Sequence, residues 1–134
     1  VAYGPLYMGL DEAEVSARAE EALAAVDLAE LGGRAPHRLS LGERRRAALA
    51  TVLSMRPPIL ALDEPSASLD PAARRRLVTL LDGLAFTQLI ATHDLALASR
   101  LCPRSVLLAN GCVVADGPTD ELLGDAALLA RYGL

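Results

Sequence analysis

Residues 59–70 read Ile-Leu-Ala-Leu-Asp-Glu-Pro-Ser-Ala-Ser-Leu-Asp. A short apolar run, residues 59–62, stands between Pro57-Pro58 and a pair of acids. Such a run fits a strand buried on both faces, as in parallel sheets covered by helices. Asp63 and Glu64 then fall at its carboxyl end, where open α/β sheets bind ligands. Side chains alternate along a strand, so the two carboxylates share one task only if the strand ends between them. A natural division gives Asp63 to a metal ion, directly or through water, and Glu64 to a water molecule as base. Two acids simply meeting solvent would explain the dipeptide taken alone.

Downstream, Asp70 caps a helix whose first residue is Pro71, a position where the missing amide hydrogen costs nothing. Its stripe is Leu77, Leu80, Leu81 and Leu84. Residues 88–92 read as a second strand, closing a β-α-β unit. Ala91-Thr92-His93-Asp94 ends that strand and brings His93 to the same sheet edge as the acids, although a lone histidine is more often structural. A helix follows from about Asp94 to Leu101. Residues 106–109, Asn110-Gly111 and residues 112–115 predict a hairpin, because Asn-Gly favours the left-handed turn that matches strand twist. Thr119 is expected to cap a last short helix over Leu122 and Leu123.

Upstream, Leu39-Ser-Leu-Gly-Glu-Arg-Arg-Arg46 opens a helix from Ser40 with a stripe of Ala48, Leu49, Val52 and Leu53. Pro57-Pro58 ends it. Ser40 and Glu43 form a capping box. The same helix mouth, with free amides, a hydroxyl and flexible Gly42, also welcomes a phosphate. Glu43 works against a bare anion site and Arg44, Arg45 and Arg46 offset it; a solvated charged face is the plainer account of the run. An earlier helix runs from Asp11, with Glu14 reaching back to it, to about Asp27. Residues 1–10 read as a connecting segment. The sum is α/β, with a helical appendage over residues 11–56.

The chain has 134 residues, 52% of them hydrophobic and 3% aromatic, so a modest core must be built from Leu, Val, Ile and Ala. A net charge of −4 argues against a nucleic-acid partner. Cys102 and Cys112 lack metal or pairing spacing and read as reduced thiols. His37 and His93 have no ligand-spaced partner. No apolar run is long enough to cross a bilayer, and no secretory signal opens the chain. All thirteen basic residues are arginines.

The string from Leu39 to Asp70, with the later Ala91-Thr-His-Asp94, resembles the ATP-binding cassette (ABC) ATPases. Residues 39–43 are similar to that family's signature motif, 59–64 to its Walker B strand and catalytic glutamate, 66–70 to its D-loop, and His93 to its switch histidine. Residues 1–15 are similar to the segment after the Q-loop in cobalt/nickel and energy-coupling-factor importers. The resemblance implies a P-loop NTPase-type α/β core with a helical signature subdomain. It places residues 1–56 in the opening segment and that subdomain, and 57–134 in the C-terminal part of the core. ATP and Mg²⁺ would be the cofactors. The partners would be a second ABC ATPase domain, head to tail, and an integral membrane transport subunit, at the cytoplasmic face of the cell membrane. Ser40 and the Gly42 amide, beside Glu43, would serve the γ-phosphate of a nucleotide held mainly by the partner. Asp63 would help hold Mg²⁺, Glu64 would polarise the attacking water, His93 would contact the γ-phosphate and Asp70 would link the two sites.

Two residues depart from the family pattern: Leu41 where glycine is usual, and Glu43 where glutamine is frequent. A larger departure is the phosphate loop, Gly-x-x-x-x-Gly-Lys-Ser/Thr, which a chain without lysine cannot contain. The Q-loop glutamine is missing too. The expectation is therefore a core lacking its N-terminal half, inactive alone and prone to associate through open strand edges. Two other readings remain open: a soluble ABC ATPase outside transport, and a non-catalytic piece that supplies the signature helix in trans.

Overall fold

A computed structural model describes residues 1–67 and 69–133, so Ser68 of the D-loop-like stretch lies outside the described residues. Two compact units divide the chain, residues 1–60 with 85–88 and residues 61–84 with 89–134.

The first unit packs three helices, α1 (Tyr3–Tyr7), α2 (Glu12–Ala25) and α3 (Leu41–Leu53), with two short 3-10 turns between α2 and α3. Helix α1 occupies what the sequence suggested was a connector. Pro5 misleads there: it sits in the first turn, where no backbone donor is needed, and it is buried. Gly4 permits the close packing, because a Cβ at that position would lie 2.6 Å from Cγ of Met55. In α2, Asp11 accepts from the Glu14 amide at 2.9 Å, but the return bond is not made. The Glu14 carboxylate instead takes Arg18 at 2.7 Å. Val15, Ala22, Val26, Leu28, Ala50 and Leu53 form this unit's core. The buried line of α3 thus falls on Ala50 and Leu53, while Ala48 and Val52 of the expected stripe are exposed. Helix α3 stops at Ser54, before the prolines.

Strand β1 (Ile59–Asp63) and strand β2 (Thr87–Ala91) pair as a two-stranded sheet, with helix α4 (Pro71–Asp82) between them in sequence. The expectation of a strand covered on both faces is corrected: Leu60 is buried, but Ile59 is 59% exposed. An apolar composition makes burial favourable, yet only neighbouring chain can supply it.

In the second unit α4 begins as the sequence predicts, with Asp70 accepting from the amides of Ala72 and Ala73 at 2.9 and 2.8 Å. Leu81 is fully buried, while Leu77, Leu80 and Leu84 are half-buried. Helix α5 (Leu95–Leu101) buries Leu97. Strands β3 (Arg104–Ala109) and β4 (Cys112–Pro118) form the antiparallel hairpin, turning at Asn110 and Gly111 with φ of 51° and 75°. Thr119 does not cap the following helix α6 (Thr119–Gly124); it is buried inside its first turn, and its hydroxyl pairs with that of Ser105 at 2.8 Å. A further helix, α7 (Ala126–Tyr132), closes the described chain.

Candidate functional site

Strand β1 ends between the two acids. Asp63 is its last residue, and Glu64 takes a left-handed conformation with φ of 43°. A non-glycine residue pays for that conformation through crowding of its Cβ, so surrounding bonds must hold it there. They are visible: the Glu64 amide donates to the Ala91 carbonyl at 2.8 Å, tying the turn to the end of β2. The strand end also separates the two side chains in kind. Asp63 is exposed, and its carboxylate makes no hydrogen bond or ion pair among the described residues.

Glu64 is heavily engaged. Its Oε1 accepts from the His93 amide at 2.9 Å and faces His93 Nδ1 at 2.7 Å; its Oε2 accepts from the Thr92 hydroxyl at 3.3 Å. An ionised carboxylate only accepts, so the proton on Nδ1 is assigned by this partner and Nε2 points away from it. The His93 side chain is 78% exposed, leaving Nε2 open to a ligand. The contact moves both groups. Hydrogen bonding and charge from Glu64 raise His93 above its ordinary value of 6.5. The His93 bond, joined by its amide, its charge and the Thr92 hydroxyl, lowers Glu64 below 4.5. Each partner thus favours the charged form of the other, carboxylate and imidazolium. Of roughly four acceptor positions on a carboxylate, three are filled, and the remaining one is on Oε2.

Asp94 was read from the sequence only as a helix start. It does cap α5 through the Leu97 amide at 3.0 Å. Its carboxylate also accepts from the Ser66 hydroxyl at 2.9 Å and pairs with Arg74, and its amide donates to the Thr92 hydroxyl at 3.1 Å. Burial opposes ionisation of Asp94, but the Leu97 amide, Ser66 and Arg74 outweigh it and hold the carboxyl below its ordinary value. No spacing rule joins residues 66, 74 and 94, so only the fold could show this cluster. Asp70 makes no bond to Glu64 or His93; both of its described bonds go to its own helix.

In the first unit Ser40 is exposed at the mouth of α3 and the capping box is complete. The Ser40 amide donates to Glu43 at 2.7 Å, and the Glu43 amide donates to the Ser40 hydroxyl at 3.3 Å. Those bonds, the backbone one first, hold Glu43 below its ordinary value. Leu41 is 57% exposed, and a Cβ on Gly42 would meet nothing within 4 Å. The first turn is thus open to solvent, with glycine where a ligand could approach the backbone.

A family model described as "AAA domain, putative AbiEii toxin, Type IV TA system" matches residues 7–99. Over the whole chain the sequence is 54% identical to a "Putative ABC transporter ATP-binding protein" of Streptomyces avermitilis and 47% identical to the cobalt import ATP-binding protein CbiO of Rhodobacter capsulatus. The chain belongs to the AAA domain family, in its ATP-binding cassette form. Among solved structures, cbiO1 of Clostridium perfringens, part of the transporter complex cbiONQ, superposes on this cassette chain with a TM-score of 0.82. That match is 32% identical and covers 97% of this chain and 53% of the other. The ADP form of the cassette MJ1267 superposes with a TM-score of 0.77 at 23% identity, which shows the P-loop NTPase fold alone. The cassette chain spans about half the length of the curated relatives it matches, 51% and 49% for the two named.

The residues of this cassette suit a magnesium ion better than a tightly caged metal. No group of three or more His, Cys, Asp or Glu converges among the described residues. A single free carboxylate such as Asp63 fits Mg²⁺, which keeps waters and takes its other ligands from phosphates. Among the described residues no helix is long and apolar enough to cross a membrane.

Proposed function

We propose that this chain is part of an ATP-hydrolysing motor subunit of a membrane importer of the cobalt, nickel or vitamin type. The observation that carries the reading is Glu64 held against His93 at the end of β1, beside a free Asp63. Phosphoryl transfer asks mainly for positioning and charge stabilisation, and each residue has a part in that. Asp63 would hold Mg²⁺. The ion, when bound, would neutralise charge on the β- and γ-phosphate oxygens. Glu64 offers its one open acceptor position, on Oε2, to the attacking water. Its lowered pKa suits orienting and polarising that water rather than storing its proton. His93, whose protonated form Glu64 favours, would donate from Nε2 to the γ-phosphate.

The Ser40 hydroxyl and Gly42 amide would serve the nucleotide of a second cassette, packed head to tail, for which the exposed first turn of α3 is suited. Asp70 would contribute at that interface from the N-cap of α4. Residues 1–56 would form the signature subdomain facing an integral membrane subunit, and 57–134 would belong to the hydrolytic core at the cytoplasmic face of the membrane. The names of the relatives, cobalt import and energy-coupling factor transporter ATP-binding proteins, support the importer reading.

With no lysine, the chain contains no phosphate loop and is expected to be inactive by itself. Hydrolysis by the purified 134-residue chain would overturn that. In a subunit joining this sequence to a lysine-bearing phosphate loop, Glu64→Gln is expected to trap ATP with turnover nearly abolished, assayed by phosphate release and retained radiolabelled nucleotide. Unchanged turnover removes Glu64 from its role. A second reading, in which the chain lends only its α3 mouth to a nucleotide held elsewhere, rests on the exposed first turn of α3. It leaves the Glu64–His93 pair without a purpose.

A further inference from the structure

We infer that Asp94 is a positioning residue that closes a ring of hydrogen bonds through Ser66 and Thr92 and thereby sets where Glu64 meets His93. The ring can be followed atom by atom. Glu64 Oε2 accepts from the Thr92 hydroxyl at 3.3 Å. That hydroxyl oxygen accepts from the Asp94 amide at 3.1 Å. The Asp94 Oδ2 accepts from the Ser66 hydroxyl at 2.9 Å. Ser66 lies two residues after Glu64, so the backbone completes the circuit. All its members belong to the second unit.

The cluster is built more like an interior network than a surface one. Ser66 is buried at 9% exposure, and the Asp94 side chain is 16% exposed. Arg74 of α4 supplies the countercharge that lets Asp94 stay ionised there. The charged groups facing His93 are Glu64 and Asp94. Glu64 occupies a conformation its own Cβ disfavours, so its location is imposed rather than preferred. A helix cap alone would need only the Leu97 bond. The Ser66, Thr92 and Arg74 contacts are surplus to capping, and two of them lead back to Glu64.

This inference rests on the reading of Glu64 and His93 as working groups, but its test does not use hydrolysis. The imidazole of His93 is titrated by proton NMR in the 134-residue chain, with Glu64→Gln as the reference for a lost contact. Ser66→Ala keeps every charge and the α5 cap, and removes one bond of the ring. The His93 midpoint is expected to shift down toward that of Glu64→Gln, and Ser66→Thr, which keeps the hydroxyl, is expected to restore it. Asp94→Asn should lower the midpoint further, since it also removes a nearby negative charge. A midpoint unmoved by Ser66→Ala, in a chain whose amide spectrum stays dispersed, overturns the proposal. Should Ser66→Ala fail to fold, Thr92→Val decides by the same readout: a lowered midpoint supports the ring and an unmoved one sinks it. If the ring holds but Glu64→Gln leaves hydrolysis intact in the assembled subunit, the catalytic reading fails and the positioning result stands.

Discussion

Adjacent Asp63 and Glu64 acquire opposite characters because β1 ends between them. One carboxylate is left bare, and the other is bound by three donors on the residues that follow β2. The sequence suggested a division of the acids between metal and water, and it placed His93 at the same edge. It could not show which acid the histidine would meet, because that depends on the left-handed turn at Glu64. Nor could it show Asp94 at work, since its partners at 66 and 74 become neighbours only after folding. A pH profile follows from the pair. Glu64 is lowered below 4.5, so its ionised form is lost only as pH falls through that lowered value. His93 is raised above 6.5, so the imidazolium is lost as pH rises through that raised value. The charged pair thus spans the interval between, wider on both sides than unpaired groups would allow. Turnover by an assembled subunit is expected to follow a bell over this window. In Glu64→Gln the NMR midpoint of His93 should move down. A midpoint indifferent to that change would mean that the contact does not exist in solution.

Elements with their own punctuation were legible: the start of α4 at Asp70 and Pro71, the Asn110-Gly111 hairpin, and α3 behind its capping box. Elements whose borders are set by tertiary contact were not. Helix α1 depends on the burial of Pro5 and on the close approach of Gly4 to Met55, and the buried line of α3 is decided by what covers it. The mouth of α3 allows fold and function to be separated. Ser40→Ala removes the side-chain cap and should cost about 1 kcal/mol of stability, read from urea unfolding. Gly42→Ala acts in the other direction. A Cβ there meets nothing within 4 Å, so helix propensity should raise stability by up to about 1 kcal/mol. The same methyl would crowd the Gly42 amide that we propose meets a phosphate. An assembled transporter subunit carrying Gly42→Ala should therefore be at least as stable as the parent and slower in turnover. Equal turnover would show that the first turn of α3 carries glycine for reasons unrelated to nucleotide.

At the scale of the whole molecule, apolar surface is left uncovered where a sheet protein normally covers it. Ile59 on β1 and Leu89 on β2 are 59% and 65% exposed. On the hairpin Leu108 and Val113 stand opposite each other in register and are 66% and 61% exposed, while Ser105, Leu107 and Ala109 on the alternate face are half-buried. Opposed residues share a sheet face, so Leu108 and Val113 form one exposed apolar pair. Water around such side chains is released whenever another surface covers them, at roughly 25 cal/mol per Å². Among the described residues the sheet of β1 and β2 has two strands, so each has one edge with no strand beside it. Curated relatives about twice this length have more chain with which to cover such surface. The purified 134-residue chain is therefore expected to self-associate, with a sedimentation coefficient that rises with concentration. Leu108→Lys places a charge in the exposed pair without touching a buried residue, and it should shift that association toward monomer at unchanged helix content by circular dichroism. A parent chain that sediments as a monomer across the concentration range would mean that these exposed faces are tolerated in water, and the argument from uncovered strands would fall.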